Sequence, residues 1–152
     1  MKKILSISLI LILMSLVACG GNSDSDMNQE EKTAKSKMKE GIEYFNEEFE
    51  RVLPDLAEKK DVEDMISELE SAITKSEEYV NIYMDYMDND NLSDSFKEAA
   101  MNLKTAFYGI QTTALEPLLE IFKTDSGDAP DYKTLVSNGK EVYVDPAEKL
   151  LK

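Results

Sequence analysis

Residues 62–88 read VEDMISELESAITKSEEYVNIYMDYMD, and the side chains that suit a protein core return every three or four positions. These positions are Val62, Met65, Leu69, Ala72, Ser76, Tyr79, Tyr83 and Tyr86. An α-helix has about 3.6 residues per turn, so this spacing places them on one face, which needs another apolar surface to cover it. Because the stretch holds neither Gly nor Pro, the pattern predicts one long helix inside a bundle.

Two further segments with a helical period flank this stretch. The first spans about Glu30–Lys60 and the other about Asp94–Lys123, and each carries an apolar stripe wide enough for a bundle core. Asp61 and Ser93 stand in the short links, where each is a typical N-cap of the following helix. Links this short make sequential helices antiparallel neighbours. The sequence therefore predicts an all-α fold, an up-down-up three-helix bundle.

The last part of the chain carries weaker signals. Pro130–Ser137 predicts a short helix, ended by the Asn138-Gly139 pair. Glu141–Val144 predicts extended chain, and the Asp-Pro pair that opens 145–151 is typical of a helix start. We expect this region to form a strap that contains one or two short helices and packs on the bundle.

Composition excludes several classes of function. The formal net charge is -14, and removal of residues 1–18, which hold Lys2, Lys3 and no acid, leaves -14 - 2 = -16. Such a body repels nucleic acid phosphates, so we expect no nucleic acid partner. The chain has no His and only one Cys, Cys19, which excludes Ser-His-Asp and Cys-His catalysis and a Cys/His zinc site. We therefore predict a protein that is not an enzyme and that carries neither a metal nor a free cofactor.

The first nineteen residues have the organisation of an export signal. Lys2 and Lys3 provide a positive start, and Ile4–Val17 is an apolar run interrupted only by serines. The run is shorter than the roughly 20 residues that a membrane-spanning helix needs, and its length suits the apolar part of a signal peptide. Residues 1–18 are therefore predicted to be removed.

The end of this region, Leu16-Val17-Ala18-Cys19, resembles the lipobox of bacterial prelipoproteins. The resemblance covers residues 1–19 and implies recognition of Leu16, Val17 and Ala18 by a signal peptidase, cleavage before Cys19 and a covalent diacylglyceryl group on the Cys19 thiol. Two acyl chains hold a protein firmly on a bilayer, whereas one chain is marginal. Gly20 and the Lys-, Asn- and Glu-rich composition resemble proteins of Gram-positive bacteria. The expected location is the outer face of the cell membrane.

The small, polar residues after the cysteine predict a flexible tether over 19–29, followed by a helical domain over 30–152. The expected function is that of a non-catalytic binding module of the cell envelope, whose partner is an envelope or exported protein. The alternative is a lipoprotein that binds a small ligand or a metal and serves a transporter. An exposed, continuous apolar patch would favour the first function, and a closed apolar pocket with convergent polar groups would favour the second.

Three groups of residues are candidates for contact with partners. Pro54 and Pro117 lie inside helical segments and predict kinks, which could open a binding mouth at the end of the bundle far from the anchor. A lysine cluster just after the tether could meet anionic lipid headgroups, or could be a solvated helix face. Its members are Lys32, Lys35, Lys37 and Lys39. The third group, Tyr79, Tyr83 and Tyr86 with Met84 and Met87, fits either a binding surface or, more simply, the core.

Overall fold

The structure is a computed structural model that describes residues 27–52, residue 56 and residues 61–152. Four helices, α1 to α4, and no strand are present within these ranges. The all-α bundle predicted from the sequence is confirmed. The predicted signal peptide, the lipobox with Cys19, the tether as far as residue 26, and Pro54 lie outside the described residues.

Three of the helices change their winding from α to π along their length. Helix α1 consists of the α-helical section Gln29–Tyr44 and the π turn Phe45–Phe49, and helical residues follow to 52 and at 56. Helix α2 is a single α-helix, Val62–Met87. Helix α3 consists of Asp94–Ile110, the π turn Gln111–Leu115 and Glu116–Thr124. Helix α4 consists of Tyr132–Gly139, the π turn Lys140–Val144 and Asp145–Leu150.

Helix α3 lies at the centre of the bundle, because it packs closely against each of the other three helices. Glu30, Glu40 and Arg51 contact Asn89, Tyr79 and Glu68 in that order, so α1 and α2 run in opposite directions. The short links 88–93 and 125–131 reverse the chain again before α3 and α4. The start of α1, the link between α2 and α3, and the end of α4 therefore lie at one end of the bundle. We call this the anchor end, since the chain enters the domain there from the direction of Cys19.

Hydrogen bonds hold the anchor end together. Asn28 caps α1 in a capping box, in which its Oδ1 accepts from the Glu31 amide at 2.8 Å and its own amide donates to Glu31 Oε2 at 3.2 Å. Asn28 Nδ2 also donates to the Asn91 carbonyl at 2.8 Å, and Asn89 Nδ2 donates to Glu30 Oε2 at 2.8 Å. The first turn of α1 is thus bound to the link between α2 and α3.

The two N-caps predicted in the links differ in their chemistry. Asp61 caps α2, and its Oδ1 accepts from the Glu63 amide at 2.8 Å. Ser93 stands at the N-cap position of α3 but makes no capping bond through its side chain. Its hydroxyl lies 3.3 Å from Ser95 Oγ, while its amide donates to Glu31 Oε1 at 3.3 Å. The predicted cap position is confirmed for both residues, although the Ser93 side chain makes no hydrogen bond to the helix amides.

The core is built from aromatic rings contributed by α1, α2 and α3. Phe107 of α3 lies at its centre, with ring centroids 4.9 Å from Tyr79, 5.5 Å from Phe45 and 5.5 Å from Phe49. All four of these residues are almost completely buried, as is Tyr83. Tyr79 and Tyr83 are therefore core residues, as the simpler of the two sequence interpretations predicted. Large rings between α1 and α2 keep the backbones of these two helices apart.

The C-terminal region is helical almost throughout, and the predicted breaks within residues 138–145 were wrong. Residues 140–144 form a π turn rather than an extended segment, and the preceding helical section runs through Gly139. Asp145 does not cap a new helix, since its Oδ1 accepts from Lys140 Nζ at 2.6 Å. The two short helices expected in the strap are present, and the π turn joins them into one continuous rod.

Prolines account for two of the π turns. A proline inside a helix has no N–H to donate, and its ring collides with the carbonyl four residues earlier. For Pro117 that carbonyl belongs to Thr113, and for Pro146 it belongs to Val142, and both lie within π turns. The wider winding gives each ring room, so the helix continues where the sequence suggests a kink or a new start.

Candidate functional site

The three π turns lie at one level of the bundle. A Cβ placed on Gly139, just before the π turn of α4, would lie 3.2 Å from Phe45 Cζ and 3.7 Å from Ile110 Cδ1. Phe45 opens the π turn of α1, and Ile110 directly precedes that of α3. Gly139 therefore allows α4 to approach α1 and α3 closely at this level. Single π turns within α-helices are frequent at functional sites, which makes the surface around them a candidate site.

A groove lies on the outer side of this junction, between α3 and α4, and we call it the α3–α4 groove. Its volume is about 310 Å³. The lining is mainly apolar and includes Ala106, Gly109 and Ile110 from α3 and Leu135, Val142 and Tyr143 from α4. No atom of the described residues lies within 4 Å of a Cβ built on Gly109, so the floor of the groove is open at that point.

Large apolar side chains are exposed in this groove and on the adjoining face of α3. Val142 is 55% exposed within it, and Tyr108 and Met101 on α3 are 53% and 47% exposed. Met101, Thr105 and Tyr108 follow one another at spacings of four and three and therefore form a stripe beside the groove. The two other large hydrophobic residues with comparable exposure, Val62 and Met84, belong to α2. The groove and its stripe are thus an exposed apolar surface on one side of the bundle.

The groove itself is lined by no charged residue, and charged residues of both signs lie near it along the chain. Glu98 lies two turns before Thr105 on the same side of α3, and Glu141 directly precedes Val142 in α4. Both carboxylates are exposed, and neither has an ion-pair partner within the part of the chain that the structure describes. Of the lysines on α3, Lys97 pairs with Asp90 at 3.8 Å, and Lys104 lies over the ring of Tyr108 at 5.8 Å from its centroid.

A second, larger cleft of about 530 Å³ separates α1 from α2. Tyr44, the half-buried aromatic residue among its lining side chains, has a pKa raised to about 12 by burial and, secondarily, by the charge of Glu48. Arg51 crosses the cleft, with its guanidinium bound to Glu48 and lying 3.5 Å from Glu68 Oε1. Lys75 likewise pairs with Glu78 at 2.7 Å. Because its charged groups pair with one another, this cleft resembles a polar seam between two helices.

Tyr79 illustrates how that seam is closed. Its ring lies between the ammonium groups of Lys37 and Lys75, which are 5.6 Å and 5.4 Å from the ring centroid. Its hydroxyl donates to Glu40 Oε1 at 3.2 Å. Burial first, and then the charge of Glu40, raises the pKa of Tyr79. These contacts join α1 to α2 and explain why a tyrosine rather than a phenylalanine suits this position.

The four lysines of the predicted cluster do not all lie on the same side of α1. Lys32 and Lys39 are exposed and Lys35 is partly exposed, and at about 100° per residue the three share one side of α1. Lys37 points to another side, toward α2, where its ammonium pairs with Glu40 at 2.6 Å. The structure thus brings together three of the four lysines that the sequence singled out.

Of the two prolines predicted to open a binding mouth, only Pro117 lies within the described residues. This residue is partly buried near the start of the last section of α3, and it lines neither the α3–α4 groove nor the α1–α2 cleft. Pro54 lies outside the described residues, as do Leu16, Val17, Ala18 and Cys19. The binding mouth at the end of the bundle far from Cys19 therefore stays a prediction.

The residues of the α3–α4 groove were not singled out from the sequence. Met101 and Tyr108 lie seven positions apart and off the core stripe of the third segment, so a second apolar stripe was detectable there. Val142 could not have been found, because it belonged to a segment predicted as extended chain. Only a helical winding of residues 140–144 places it opposite α3.

Comparison with known proteins adds no name to these features: neither a family model, nor a curated protein, nor a solved structure matches the chain. Over the described residues, no group of three or more acidic, His or Cys side chains is arranged to hold a metal ion. The same residues contain no helix with the length and hydropathy that crossing a bilayer requires.

Proposed function

We propose that this protein is a lipid-anchored binding module on the outer face of the cell membrane, and that it binds another protein of the envelope. The anchor is the diacylglyceryl group that the lipobox resemblance implies on Cys19. The anchored part is the acidic helical domain, and no catalytic role is assigned to it. The partner is an envelope or exported protein, while nucleic acid is disfavoured by the net charge.

The observation that carries the binding role is the exposed apolar surface along the α3–α4 groove. Monomeric proteins rarely leave contiguous apolar surface in water unless something covers it. Met101, Tyr108 and Val142 are exposed here, and Met and Tyr are enriched in protein interfaces, whose centre is mainly apolar. The alternative, a small-ligand or metal receptor for a transporter, has less support because the groove is open and lacks convergent buried polar groups.

The lysines of α1 fit this arrangement as a secondary contact with the membrane. Lys32, Lys35 and Lys39 lie within the first three turns of the domain, near the anchor end. Basic residues close to an anionic leaflet contribute about 1 kcal/mol each, so these three could orient the anchored domain. We assign no such role to Lys37, which pairs with Glu40.

The proposal is tested by photo-crosslinking on intact cells. A photo-reactive amino acid in place of Val142 should give a discrete crosslinked product with an envelope protein. The matched position is Val62, which is 49% exposed and lies on α2, away from the groove, and it should give none. In parallel, Cys19→Ala should abolish labelling with radioactive fatty acid and leave the leader uncleaved. Equal crosslinking from both positions, or continued lipid labelling of the Cys19→Ala form, would contradict the proposal.

A further inference from the structure

We infer that the anchored domain leans onto the membrane through one side of α1, where Lys32, Lys35 and Lys39 bind the headgroup phosphates of anionic phospholipids. We call this surface the lysine side. The inference rests on the proposed function and deepens it, because it names the class of lipid and the face of the domain that meets it. Its support is the arrangement of the three lysines, the bonding of the acids beside them and the charge at the end of the bundle.

The three lysines form a compact row on α1. At about 100° per residue they fall within an arc of about 60°, and Lys32 and Lys39 lie about 10 Å apart along the helix axis. Both are exposed, and neither has an ion-pair partner among the described residues, while Lys35 is partly exposed between them. Glu43, four residues after Lys39, is the next charged residue on this side, so the basic row is limited to the first three turns.

The acids in these same three turns are engaged with other groups. Glu30 accepts from the side-chain amides of two asparagines in the link between α2 and α3, at 2.8 Å and 3.0 Å. Glu31 accepts from the Ser93 amide at 3.3 Å, and Glu40 accepts from Lys37 Nζ at 2.6 Å. None of these carboxylates pairs with Lys32 or Lys39, so both ammonium groups stay available to an external anion.

The end of the bundle carries the opposite charge. Asp88 and Asp90 lie in the link between α2 and α3, Asp94 begins α3, and all three are exposed. Among the described residues only Asp90 of these three has an ion-pair partner, Lys97, at 3.8 Å. An anionic bilayer repels such an end. Contact through the lysine side is therefore favoured over an upright stance on the end of the bundle.

The expected preference is large enough to orient the domain. A lysine close to an anionic membrane surface favours contact by about fivefold, so three in a row favour it by about a hundredfold. The anchor does not oppose the leaning pose, since the eight residue steps from Cys19 to Met27 span up to about 28 Å.

The test is lysine footprinting of the lipidated protein, isolated from its own cells and reconstituted on vesicles. One set of vesicles is phosphatidylcholine alone, and the other is equal parts of phosphatidylcholine and phosphatidylglycerol. An amine-reactive reagent and peptide mass spectrometry give the reactivity of each lysine. Lys32, Lys35 and Lys39 should react about threefold or more slowly on the mixed vesicles, and about 1 M salt should remove the difference because the Debye length is then about 3 Å.

Lys37 is the matched internal control. It lies two residues before Lys39 but about 160° away around α1, where it pairs with Glu40. Its reactivity should be the same on both kinds of vesicle, as should that of the exposed Lys133 at the far end of the bundle. An upright domain would instead protect Lys32 together with Lys97, near the start of α3, and leave Lys39 unprotected.

Paired variants test whether the lysines cause the leaning. The double change Lys32→Gln and Lys39→Gln should bring the ratio of Lys35 reactivities on the two kinds of vesicle to about one, because two of the three attractions are removed. The matched double change Lys104→Gln and Lys133→Gln removes the same charge from α3 and α4 and should leave that ratio unchanged. Circular dichroism establishes that both variants are folded.

The inference is overturned by equal effects of the two vesicles on Lys37 and Lys39, by protection that resists salt, or by the same result from both double variants. Flotation with the vesicles and the mass of the Cys19 peptide are measured on the same sample. A protein that is lipidated and floats without protection of the lysine side loses this pose and keeps its proposed location. A protein without lipid on Cys19 contradicts the proposed function and this inference together.

Discussion

Gly41 shows how closely single residues control this core. It lies in α1 opposite Tyr83, and a Cβ built on it would overlap the Tyr83 hydroxyl and lie 3.2 Å from Tyr79 Cδ1. The Tyr83 hydroxyl is buried and has no hydrogen-bond partner among the described residues. The glycine is therefore explained by the close approach of a tyrosine to the helix backbone, since glycine in a helix interior is otherwise unfavourable by about 1 kcal/mol relative to alanine.

A pair of glycine substitutions tests this explanation. Gly41→Ala should lower the free energy of unfolding by about 1–3 kcal/mol, because the added methyl group displaces Tyr83. Gly109→Ala, also within a helix but facing open space, should raise it by up to about 1 kcal/mol. Urea unfolding measures both changes. In a Tyr83→Phe background, which lacks the overlapping hydroxyl, Gly41→Ala should cost less than half as much; an unchanged cost would contradict the assigned contact.

Buried tyrosines make the fold sensitive to alkali. Burial raises the pKa of Tyr44 to about 12 and is also the first cause of the raised pKa of Tyr79, Tyr83 and Tyr132. A pKa raised above the unfolded value of about 10 means that the folded state holds the proton more tightly. The associated stability is complete below about pH 10 and is lost as pH rises from there toward the folded pKa values.

We therefore expect the urea midpoint to fall steeply between about pH 9.5 and about pH 11.5. Tyrosinate absorbance of these residues should rise together with unfolding rather than before it. Tyr132→Phe should make the fall shallower, because the Tyr132 hydroxyl is buried without a partner among the described residues. A midpoint that does not change over this interval would show that these phenols are not protected by the fold.

The helices of this protein illustrate what sequence periodicity captures and what it misses. The limits of α2, predicted from the period alone as about 62–88, agree with the observed Val62–Met87. Helix α3 ends at Thr124, one residue beyond the predicted Lys123. These elements were predictable because their stripes are long and uninterrupted, so a helical face is the simplest way to bury them.

Residues 138–146 were not predictable by the same rules. Asn-Gly and Asp-Pro pairs usually mark the end of one helix and the start of the next, and these signals suggested a break. In the structure a π turn absorbs Pro146, and Gly139 is needed for the contact with Phe45 rather than for a turn. Neither the π turn nor the contact with Phe45 can be read from the local sequence pattern. The α3–α4 groove depends on this continuous helix, which is why the groove was missed as well.

The capping box at Asn28 gives a prediction for α1. Asn28→Ala removes the bond to the Glu31 amide and the bond to the Asn91 carbonyl, and should lower the free energy of unfolding by about 1–2 kcal/mol. The matched change is Asn81→Ala in the exposed middle of α2, which should be neutral or slightly stabilising because Ala is the better helix former. Equal effects in thermal unfolding would mean that Asn28 contributes no cap.

At the scale of the whole molecule, the proposed function combines a covalent anchor on Cys19 with a domain whose first helix is hydrogen-bonded to the link between α2 and α3. Eight residue steps separate Cys19 from Met27, so the chain between them can extend to at most about 28 Å. In the proposed arrangement the anchor end of the bundle, where Asn28 bonds to the link between α2 and α3, would stay close to the lipid surface. The α3–α4 groove lies about midway along the bundle and faces sideways, where a neighbouring envelope protein could reach it.

The most direct measurement of the central claim is intact-mass and N-terminal peptide mass spectrometry of the protein isolated from its own cells. We predict a chain that begins at Cys19 and carries a diacylglyceryl group on its sulfur. A chain that retains residues 1–18 with an unmodified Cys19 thiol would contradict the account, because both the location and the choice of partners depend on the anchor.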